Sequence, residues 1–365
     1  MPRITIDLRM YRHSGIGRYL RNLTPLLLPL LKADAIRVLG PSTLFAGASW
    51  LEDSRVELAE TSAPIYSLAE QALAFGPHLR DAGLLWVPHY NAPLLYRGPL
   101  VLTIHDVAPI ALPEILSNPI KRRYARLLIE RSTAHASAIL CVSQFTADEL
   151  TSRLATDPAK LAITRLGLDR DWPATATPHC EPDGVPYLLF VGNVKPNKNL
   201  GLLLEAFASV RHLLPHRLVL AGRMRGFGTG DEAVLKQAEG LGDRVRFTDE
   251  IPDAELIALY AGASALVLPS LYEGFGLPLV EAMHLGCPIL CSNAGSLPEI
   301  AGEAALYFDP RSPESLSACL LQLNDPAVLE TLRRAGKQRV QAFSYTRCAE
   351  QTATVFNAQL LRNQA

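Results

Sequence analysis

The stretch Glu273-Gly-Phe-Gly-Leu-Pro-Leu-Val-Glu281 joins an apolar segment, residues 265–269, to a predicted helix. The apolar segment predicts a buried strand, and Pro278 stands where the first turn of a helix accepts proline. A glycine turn at this place leaves backbone N–H groups at the helix N-terminus, which attracts anions. Glu273 before these amides and Glu281 about one turn into the helix can accept hydrogen bonds from hydroxyl groups. The pattern predicts a phosphate site between two carboxylates, one for a sugar and one for a ribose.

An isolated pair of glutamates at this spacing also fits an ordinary strand–loop–helix unit in which both carboxylates are surface charges. The surrounding sequence is more specific. Residues 270–282, Gly286-Cys-Pro288 and Gly295-Ser-Leu-Pro-Glu299 together resemble the donor-site signature of the retaining glycosyltransferases of family 4. The resemblance implies that Glu273 is catalytic and that Glu281 binds the donor. The other donor-binding residues that it implies are Gly274, Phe275, Gly276 and Leu277.

The composition is that of a globular protein with room for two domains. The chain has 365 residues, and an apolar fraction of 48% supports hydrophobic cores. The formal net charge of −1 gives no indication of a nucleic-acid partner. Six scattered cysteines without a C-x-x-C pair predict reduced thiols. Because the chain lacks a run of about 18 apolar residues and opens on strand-like sequence, we expect a cytoplasmic protein, either free or peripheral on the inner face of the membrane.

The first residues predict a strand, Ile4-Thr-Ile-Asp7, a glycine-bearing loop and a helix over residues 18–31. This order is similar to a dinucleotide-binding turn, but Leu20 stands in place of the third glycine and no acidic residue closes the next strand. The remaining interpretations are a simple tight turn and a loop whose backbone approaches a ligand closely.

The segments Asp7-Leu-Arg9 and Ser14-Gly-Ile-Gly-Arg-Tyr19 are similar to the opening of mannosyl- and rhamnosyl-transferases of family 4. The resemblance implies that Gly15 and Gly17 face an interdomain cleft, near the acceptor and the donor diphosphate. On the same basis we expect Arg9 on the acceptor side.

Two apolar, strand-like segments of the first half are each followed by a histidine, His89 or His105. The carboxyl ends of parallel strands meet at one edge of a sheet, where ligands bind, so both histidines belong to that edge. Thr103-Ile-His-Asp106 resembles the histidine motif of the family, which implies that His105 is catalytic and lies beside the reacting sugar. His89 and Asp106 are acceptor-side candidates, and a structural hydrogen-bonding role is the alternative for His89.

Residues 118–135 predict a helix with a cluster of basic side chains, Lys121, Arg122, Arg123, Arg126 and Arg131. The plain interpretation is a solvated helix face. The sharper one is a patch that contacts an anionic membrane or the diphosphate of a lipid-linked acceptor.

A cation-bearing turn, Gly192-Asn-Val-Lys-Pro-Asn-Lys198, follows an apolar segment and precedes a predicted helix. The turn resembles the family's phosphate clamp, in which an arginine and a lysine five residues later bind the diphosphate. Lys198 takes the lysine position, whereas Asn193 stands where arginine is frequent. Arg223 or Lys195 could supply the missing positive charge.

Short apolar segments alternate with predicted helices in both halves, which predicts two parallel α/β domains. The resemblance implies the GT-B fold class, with two Rossmann-like domains facing an interdomain cleft. We expect an acceptor-side domain over residues 1–172, a linker over residues 173–186 and a donor-binding domain over residues 187–345. A final helix, residues 346–365, should cross back to the first domain.

The resemblance implies transfer of a hexose from a nucleotide sugar to a hydroxyl group, with retention at the anomeric carbon and without a metal ion or other cofactor. The N-terminal motifs most resemble those of transferases that use GDP-mannose or GDP-D-rhamnose as the donor. The expected acceptor is a saccharide or a polyprenyl-diphosphate-linked saccharide in polysaccharide biosynthesis.

Three alternatives stay open. One is a transferase of the same fold that uses UDP-glucose or UDP-N-acetylhexosamine. Another is an epimerase or a phosphorylase of this fold, the latter recognisable by the absorbance of its pyridoxal phosphate. The third is a non-catalytic sugar-nucleotide binding protein, against which the intact set of Glu273, Glu281, Lys198 and His105 argues.

Overall fold

The computed structural model describes residues 3–116, 118–168, 171–223 and 232–363. The chain forms two compact units. The first comprises Met1–Ile110, Asn118–Arg170 and Ser344–Ala365, and the second comprises Ala111–Ser117 and Asp171–Phe343. The C-terminal segment is therefore part of the first unit, although the whole second unit precedes it in sequence.

A parallel sheet forms the centre of the first unit. Its strands are β1 (Arg3–Asp7), β2 (Ala35–Leu39), β3 (Val56–Ala59), β4 (Leu84–Val87), β5 (Leu100–Ile104), β6 (Ala138–Cys141) and β7 (Leu161–Ile163). They lie in the order β3-β2-β1-β4-β5-β6-β7, and each pair is parallel. The direction of strand order reverses between β1 and β4. Ligands of such sheets bind beyond the carboxyl ends of the strands at this switch point.

The second unit has the same kind of sheet. Its strands are β8 (Tyr187–Val191), β9 (Arg217–Ala221), β10 (Val245–Asp249), β11 (Ala265–Leu268), β12 (Ile289–Ser292) and β13 (Ala305–Phe308). They lie in the order β10-β9-β8-β11-β12-β13 with parallel pairing. The switch point falls between β8 and β11. The two units are thus Rossmann-like α/β structures, as the sequence predicts.

The helices flank the sheets. In chain order they are α1 (Gly15–Leu27), α2 (Leu68–Ala72), α3 (Pro77–Arg80), α4 (Ala108–Ala111), α5 (Pro119–His135), α6 (Gln144–Leu154), α7 (Leu200–Val210), α8 (Glu232–Glu239), α9 (Asp253–Gly262), α10 (Leu277–His284), α11 (Leu297–Ala301), α12 (Pro313–Gln322), α13 (Pro326–Arg339) and α14 (Tyr345–Arg362). Asn118 caps α5 by accepting hydrogen bonds from the backbone of Ile120 and Lys121, and Pro119 occupies its first position. Within the described ranges, no helix combines the length and apolar composition needed to cross a bilayer.

Helix α1 begins at Gly15, three residues before the predicted start, and ends at Leu27 rather than at Leu31. The loop before α1 folds back against the first turn of this helix. A Cβ atom on Gly17 would lie 2.7 Å from the carbonyl oxygen of Tyr11, so this position requires glycine. Near the other end, Pro29 has no N–H to donate to the residue four positions back, and a 3-10 turn replaces the α-helix there.

Helix α14 supplies part of the core of the first unit. Phe356 is fully buried and packs against Trp86, with ring centroids 5.2 Å apart. Asn357 accepts a hydrogen bond from the backbone of Lys32 at 2.8 Å. A Cβ atom on Gly167 would lie 2.1 Å from the backbone nitrogen of Tyr345, so the chain of this unit passes directly against the start of α14.

The proline-rich segment expected as a linker over residues 173–186 packs on the second unit. His284 Nε2 donates to the carbonyl of Pro173 at 2.8 Å, and the backbone of His179 donates to Ala258 at 2.9 Å. The adjacent Trp172 is buried against the ring of Tyr260. This segment is therefore fixed by side-chain and backbone contacts.

Candidate active site

The switch point of the second sheet brings Lys198 and Glu273 together. Lys198 follows β8 and Glu273 follows β11, and these two strands are neighbours. Lys198 Nζ lies 2.5 Å from Glu273 Oε1, and the same oxygen accepts a hydrogen bond from Ser270 Oγ at 2.7 Å. Both charged side chains are mostly buried, with 17% and 13% of their areas exposed. The sequence singled out both residues but not the direct ion pair between them.

Two glycines fix the backbone around Glu273. Gly276 is the N-cap residue of α10, and its backbone is in the left-handed region with φ 89°. A Cβ atom on Gly276 would lie 2.7 Å from Leu297 Cδ2. Gly295, with φ 64°, lies so close to Glu273 that a Cβ would meet its backbone nitrogen at 2.8 Å. Ser296 N then donates to the Glu273 carbonyl at 3.1 Å. The 295–299 motif thus positions the backbone of Glu273, and no side chain caps α10.

Glu281 lies on α10 and is 4% exposed. One of its carboxylate oxygens accepts a hydrogen bond from the hydroxyl of Tyr260 at 2.7 Å. Tyr260, on α9, is itself fully buried. The tyrosine therefore orients the carboxylate, and the sequence pattern gave no indication of this partner.

Asn193 joins the loops that follow β8 and β9. Its Oδ1 accepts a hydrogen bond from the backbone of Arg223 at 3.1 Å. The two loops touch at Gly192 and Gly222, since a Cβ on Gly222 would lie 2.4 Å from the Gly192 oxygen. The exposed guanidinium of Arg223 pairs with Glu250 at 2.6 Å. In this structure Arg223 and Lys198 therefore have different carboxylate partners.

In the first unit, His105 lies directly after β5 among aromatic side chains. Its Nε2 lies 3.0 Å from the Pro88 carbonyl oxygen, and its ring contacts Tyr19 with centroids 5.0 Å apart. The ring of His89 stacks on His105 at 6.4 Å. Burial lowers the pKa of His105 to about 4. Burial and the neighbouring His105 also hold the pKa of His89 well below its ordinary value, so both imidazoles are neutral near pH 7.

Because a carbonyl oxygen only accepts hydrogen bonds, Nε2 of His105 is the protonated nitrogen. Nδ1 of the neutral ring is then an acceptor and can receive a hydrogen bond from a hydroxyl group. Asp106, the next residue, accepts a hydrogen bond from the backbone of Ala108 at 2.9 Å and so holds the start of α4.

Arg9 lies in a buried ion-pair network rather than on an open surface. Its guanidinium donates to Asp7 at 2.5 Å, to Glu70 at 2.8 Å and to the Ala63 carbonyl at 3.1 Å. Its side chain is 3% exposed. Asn91 donates to the same Glu70 oxygen at 2.5 Å. Arg9 therefore holds loops of the first unit together, and its acceptor-side role stays a prediction, since the residue also lines the cavity described below.

The network positions Tyr66, which the sequence analysis did not single out. Tyr66 adopts a left-handed backbone conformation, with φ 63°, which is strained for a tyrosine. The Glu70 carboxylate accepts a hydrogen bond from the backbone N–H of Tyr66 at 2.8 Å. The hydroxyl oxygen of Tyr66 lies 3.2 Å from His89 Nδ1. A cavity of about 420 Å³ opens beside it, lined also by Arg9, His13, Pro41, Leu44 and residues 61–65.

The two glycines of the first loop differ in their surroundings. Gly17 is buried against the Met10–Tyr11 backbone, whereas a Cβ on Gly15 would meet no atom within 4 Å. Gly17 is thus required by the fold itself. Only Gly15, at the first position of α1, leaves open space that a ligand could use.

Comparisons with known proteins agree with this arrangement. Residues 64–172 match the family model Glycosyltransferase Family 4, and residues 176–339 match Glycosyl transferases group 1. The chain is 33% identical to O-antigen chain mannosyltransferase B of Escherichia coli, over 95% of this chain and 96% of that protein. It is 31% identical to the MMP alpha-(1->4)-mannosyltransferase of Mycolicibacterium hassiacum, over 72% of this chain and 66% of that protein.

Solved structures share the fold. Sucrose-phosphate synthase from Thermosynechococcus elongatus superposes with a TM-score of 0.77 at 19% identity, covering 99% of this chain and all of that one. HepE of Anabaena, solved with UDP and glucose, superposes with a TM-score of 0.74 at 18% identity, covering 98% of this chain and all of that one. The chain therefore belongs to the GT-B glycosyltransferases of family 4, with a group 1 glycosyltransferase domain in its second half.

Proposed function

We propose that this glycosyltransferase moves mannose or D-rhamnose from a GDP-sugar to a saccharide or a polyprenyl-diphosphate-linked saccharide, with retention at the anomeric carbon. The observation that carries the proposal is the Lys198–Glu273 pair beside the N-terminus of α10, where Gly276 is the N-cap residue. This arrangement brings a cation, a carboxylate and a helix N-terminus to one switch point. The mannosyltransferase relatives support the choice of sugar, and the O-antigen relative supports a role in polysaccharide synthesis.

The donor diphosphate would lie at the N-terminus of α10, where backbone N–H groups and the helix dipole favour negative charge. Lys198 adds a positive charge there. As the bond from the anomeric carbon to the phosphate oxygen breaks, charge grows on the leaving diphosphate, and these groups stabilise it. On this basis we propose a reaction that needs no divalent metal and no other cofactor.

Retention is proposed to follow from attack on the face that the diphosphate leaves. The bond from the anomeric carbon to phosphate breaks, the bond to the acceptor oxygen forms, and the acceptor proton passes to a phosphate oxygen. The contacts of the first unit support this route, because its carboxylates near the sheet edge have structural partners. Asp7 and Glu70 pair with Arg9, and Asp106 holds the start of α4.

His105 would bind the sugar as a neutral hydrogen-bond acceptor through Nδ1 and keep it in place. The acceptor saccharide would occupy the cavity beside Tyr66, a residue that is 46% exposed. Proline and aliphatic side chains line this cavity together with a few hydroxyls, Arg9 and His13. This lining suits the apolar face and the hydroxyl groups of a pyranose.

A UDP-sugar is the alternative donor. It is favoured by a specific observation, since the structural neighbour HepE was solved with UDP and glucose. In both cases the ribose would contact Glu281, whereas the base distinguishes the two donors.

A nucleotide panel tests the proposal by thermal shift. A ligand that binds only the folded state raises stability by about 2.7 kcal/mol at 100 times its Kd. We expect GDP and GDP-mannose to raise the melting temperature more than UDP, UDP-glucose or ADP. Glu281→Gln should weaken GDP binding, and Tyr260→Phe, which keeps the carboxylate, should weaken it less. A response to UDP alone would replace the donor assignment, and an inverted anomeric product by NMR would overturn retention.

A further inference from the structure

Ser270 is a fully buried serine in the turn between β11 and Glu273. The hydroxyl of Ser270 donates to Glu273 Oε1 at 2.7 Å, and Lys198 Nζ lies 2.5 Å from the same oxygen. Two donors, one neutral and one charged, therefore converge on one atom of the carboxylate. Since both contacts use Oε1, Oε2 is the oxygen that remains for a ligand within the described part of the chain.

The position of Ser270 is fixed from the neighbouring strand. Ser292, the last residue of β12, is fully buried, and its hydroxyl donates to the carbonyl oxygen of Ser270 at 2.5 Å. Because β11 and β12 pair in parallel, this bond joins the turn after one strand to the end of the next. The sheet itself therefore supports Ser270, and a donor on a rigid support holds its acceptor in a defined place.

Two asparagines hold the backbone on both sides of Lys198. Asn197 Nδ2 donates to the carbonyl of Tyr272 at 3.2 Å. Asn199 Nδ2 donates to the carbonyl of Pro269 at 3.1 Å. The loops after β8 and β11 are thus joined before and after the lysine. These contacts fix the backbone of Lys198 independently of the partner that its ammonium group takes.

The two donors to Glu273 differ in how freely they can change partners. In the proposed reaction Lys198 neutralises charge on the diphosphate, and an ammonium group on a flexible four-carbon stem can turn from a carboxylate to a phosphate. Ser270 is short and buried, so its hydroxyl stays on Oε1. Without Ser270, the mostly buried carboxylate would lose both donors at once, and rotation of the Glu273 side chain would relieve that cost.

We propose that Ser270 is a positioning residue that holds the Glu273 carboxylate in one orientation when Lys198 turns to the donor diphosphate. Oε2 then presents a fixed acceptor to a hydroxyl group of the hexose. This inference rests on the proposed roles of Lys198 and Glu273 and adds what keeps the carboxylate in place during transfer. The contrasting role for Ser270 is stabilisation of the turn alone, which would affect the nucleotide and the sugar equally.

Binding measurements with the full-length protein test the role of Ser270. Ser270→Ala should leave the affinity for GDP unchanged and weaken GDP-mannose by about ten-fold, because a hydrogen bond between the sugar and the charged Glu273 is misplaced. Ser270→Thr keeps the hydroxyl and should restore the affinity for GDP-mannose. Ser132→Ala is the matched control, since it removes a buried serine hydroxyl of α5 that has no hydrogen-bond partner within the described ranges. This control should bind both ligands like the unmodified protein.

Crystal structures of two variants without nucleotide give a readout that is independent of the donor. Lys198→Ala imitates the departure of the ammonium group, and we expect Glu273 to keep its orientation with Oε1 on the Ser270 hydroxyl. Lys198→Ala combined with Ser270→Ala removes both donors, and Glu273 should then rotate or occupy more than one rotamer. The comparison isolates the contribution of Ser270, because the two variants differ only at that residue.

The outcomes separate this inference from the proposed donor. If only UDP ligands bind, the donor assignment fails, and the same comparison of UDP with UDP-glucose tests Ser270. If neither nucleotide binds, the two crystal structures decide. A rotated Glu273 in Lys198→Ala, an unmoved Glu273 in the double variant, or equal losses of nucleotide and nucleotide sugar in Ser270→Ala would overturn the inference. The same holds if Ser270→Thr keeps its melting temperature but does not restore binding of the nucleotide sugar.

Discussion

Lys198 is paired with the carboxylate of Glu273, and this decides how removal of the lysine should act. The ion pair with Glu273 holds the ammonium group at the switch point, where a diphosphate would receive it. Lys198→Ala should weaken binding of a free nucleoside diphosphate by about 1.5–3 kcal/mol, because a charge-assisted hydrogen bond is lost. Isothermal titration calorimetry with GDP measures this directly.

Glu273→Gln is the matched control for that experiment. It removes the competing carboxylate charge and leaves Lys198 free for phosphate, so GDP should bind as tightly as before or more tightly. Arg223→Ala should cost less than Lys198→Ala, because Arg223 is exposed and paired with Glu250. Equal losses in Lys198→Ala and Glu273→Gln would contradict the division of roles between phosphate and sugar.

Three histidines with lowered pKa values predict how stability depends on pH. Burial lowers the pKa values of His105 and His216 from 6.5 to about 4 and holds the pKa of His89 well below 6.5. Below pH 6.5 the unfolded chain binds protons at these residues and the folded protein does not until the lowered pKa values are reached. Stability therefore falls as pH decreases from about 6.5 to about 4, by up to about 1.4 kcal/mol per pH unit for each histidine. Urea unfolding across this range measures the slope.

His105→Asn and His216→Asn should each remove part of that slope. His212→Asn, which replaces an exposed histidine, controls for the loss of a histidine in general. A slope that is unchanged in both the His105 and the His216 variant would show that other groups cause the acid sensitivity, His89 among them.

The sequence identified the residues at the second switch point but not their partners. Lys198 and Glu273 follow predicted strands within recognisable motifs, so their place at the sheet edge could be inferred. Ser270, Tyr260 and Glu70 could not be inferred, because their roles depend on which side chains the tertiary fold sets beside them. The buried ion pairs of Arg9 with Asp7 and Glu70 could not be inferred either, because the family resemblance that singled out Arg9 contains no information on its partners.

At the scale of elements, the start of α1 offers a test of Gly15 and Gly17. A Cβ on Gly17 would lie 2.7 Å from the Tyr11 carbonyl, so Gly17→Ala must displace the preceding loop and should cost about 1–3 kcal/mol of stability. Gly15→Ala has open space and should change stability by about 0.5 kcal/mol or less. If Gly15 lies against bound donor, Gly15→Ala should nevertheless reduce turnover. Thermal unfolding and a transfer assay separate the two effects.

The strands were the easiest elements to predict, because buried parallel strands are short continuous apolar segments. Leu84–Val87 and Leu100–Ile104 are buried throughout. The boundaries of α1 were wrong by several residues, since a backbone approach from the preceding loop is invisible in a local pattern. The proline-rich composition of residues 173–186 similarly predicted a linker, whereas tertiary hydrogen bonds fix the segment.

At the scale of the whole molecule, the first unit is assembled from chain segments that are distant in sequence. Periodicity can indicate a final helix such as α14, but it contains no information on which sheet the helix packs against. Only the family resemblance predicted its return to the first domain. The structure gives the physical cause, because Phe356 and Leu360 of α14 are buried in the first unit's core.

This arrangement predicts that the last helix is needed by the first unit and not by the second. Phe356→Ala should cost about 3–5 kcal/mol, because it leaves a cavity against Trp86. Leu361→Ala is the matched control, since this neighbouring side chain is 64% exposed and should change little. The second unit should keep its fold in both variants, so GDP should still bind. Unfolding followed by tryptophan fluorescence in a Trp172→Phe background, which keeps only the tryptophans of the first unit, distinguishes the units alongside GDP titration. Loss of GDP binding in Phe356→Ala would show that they unfold together.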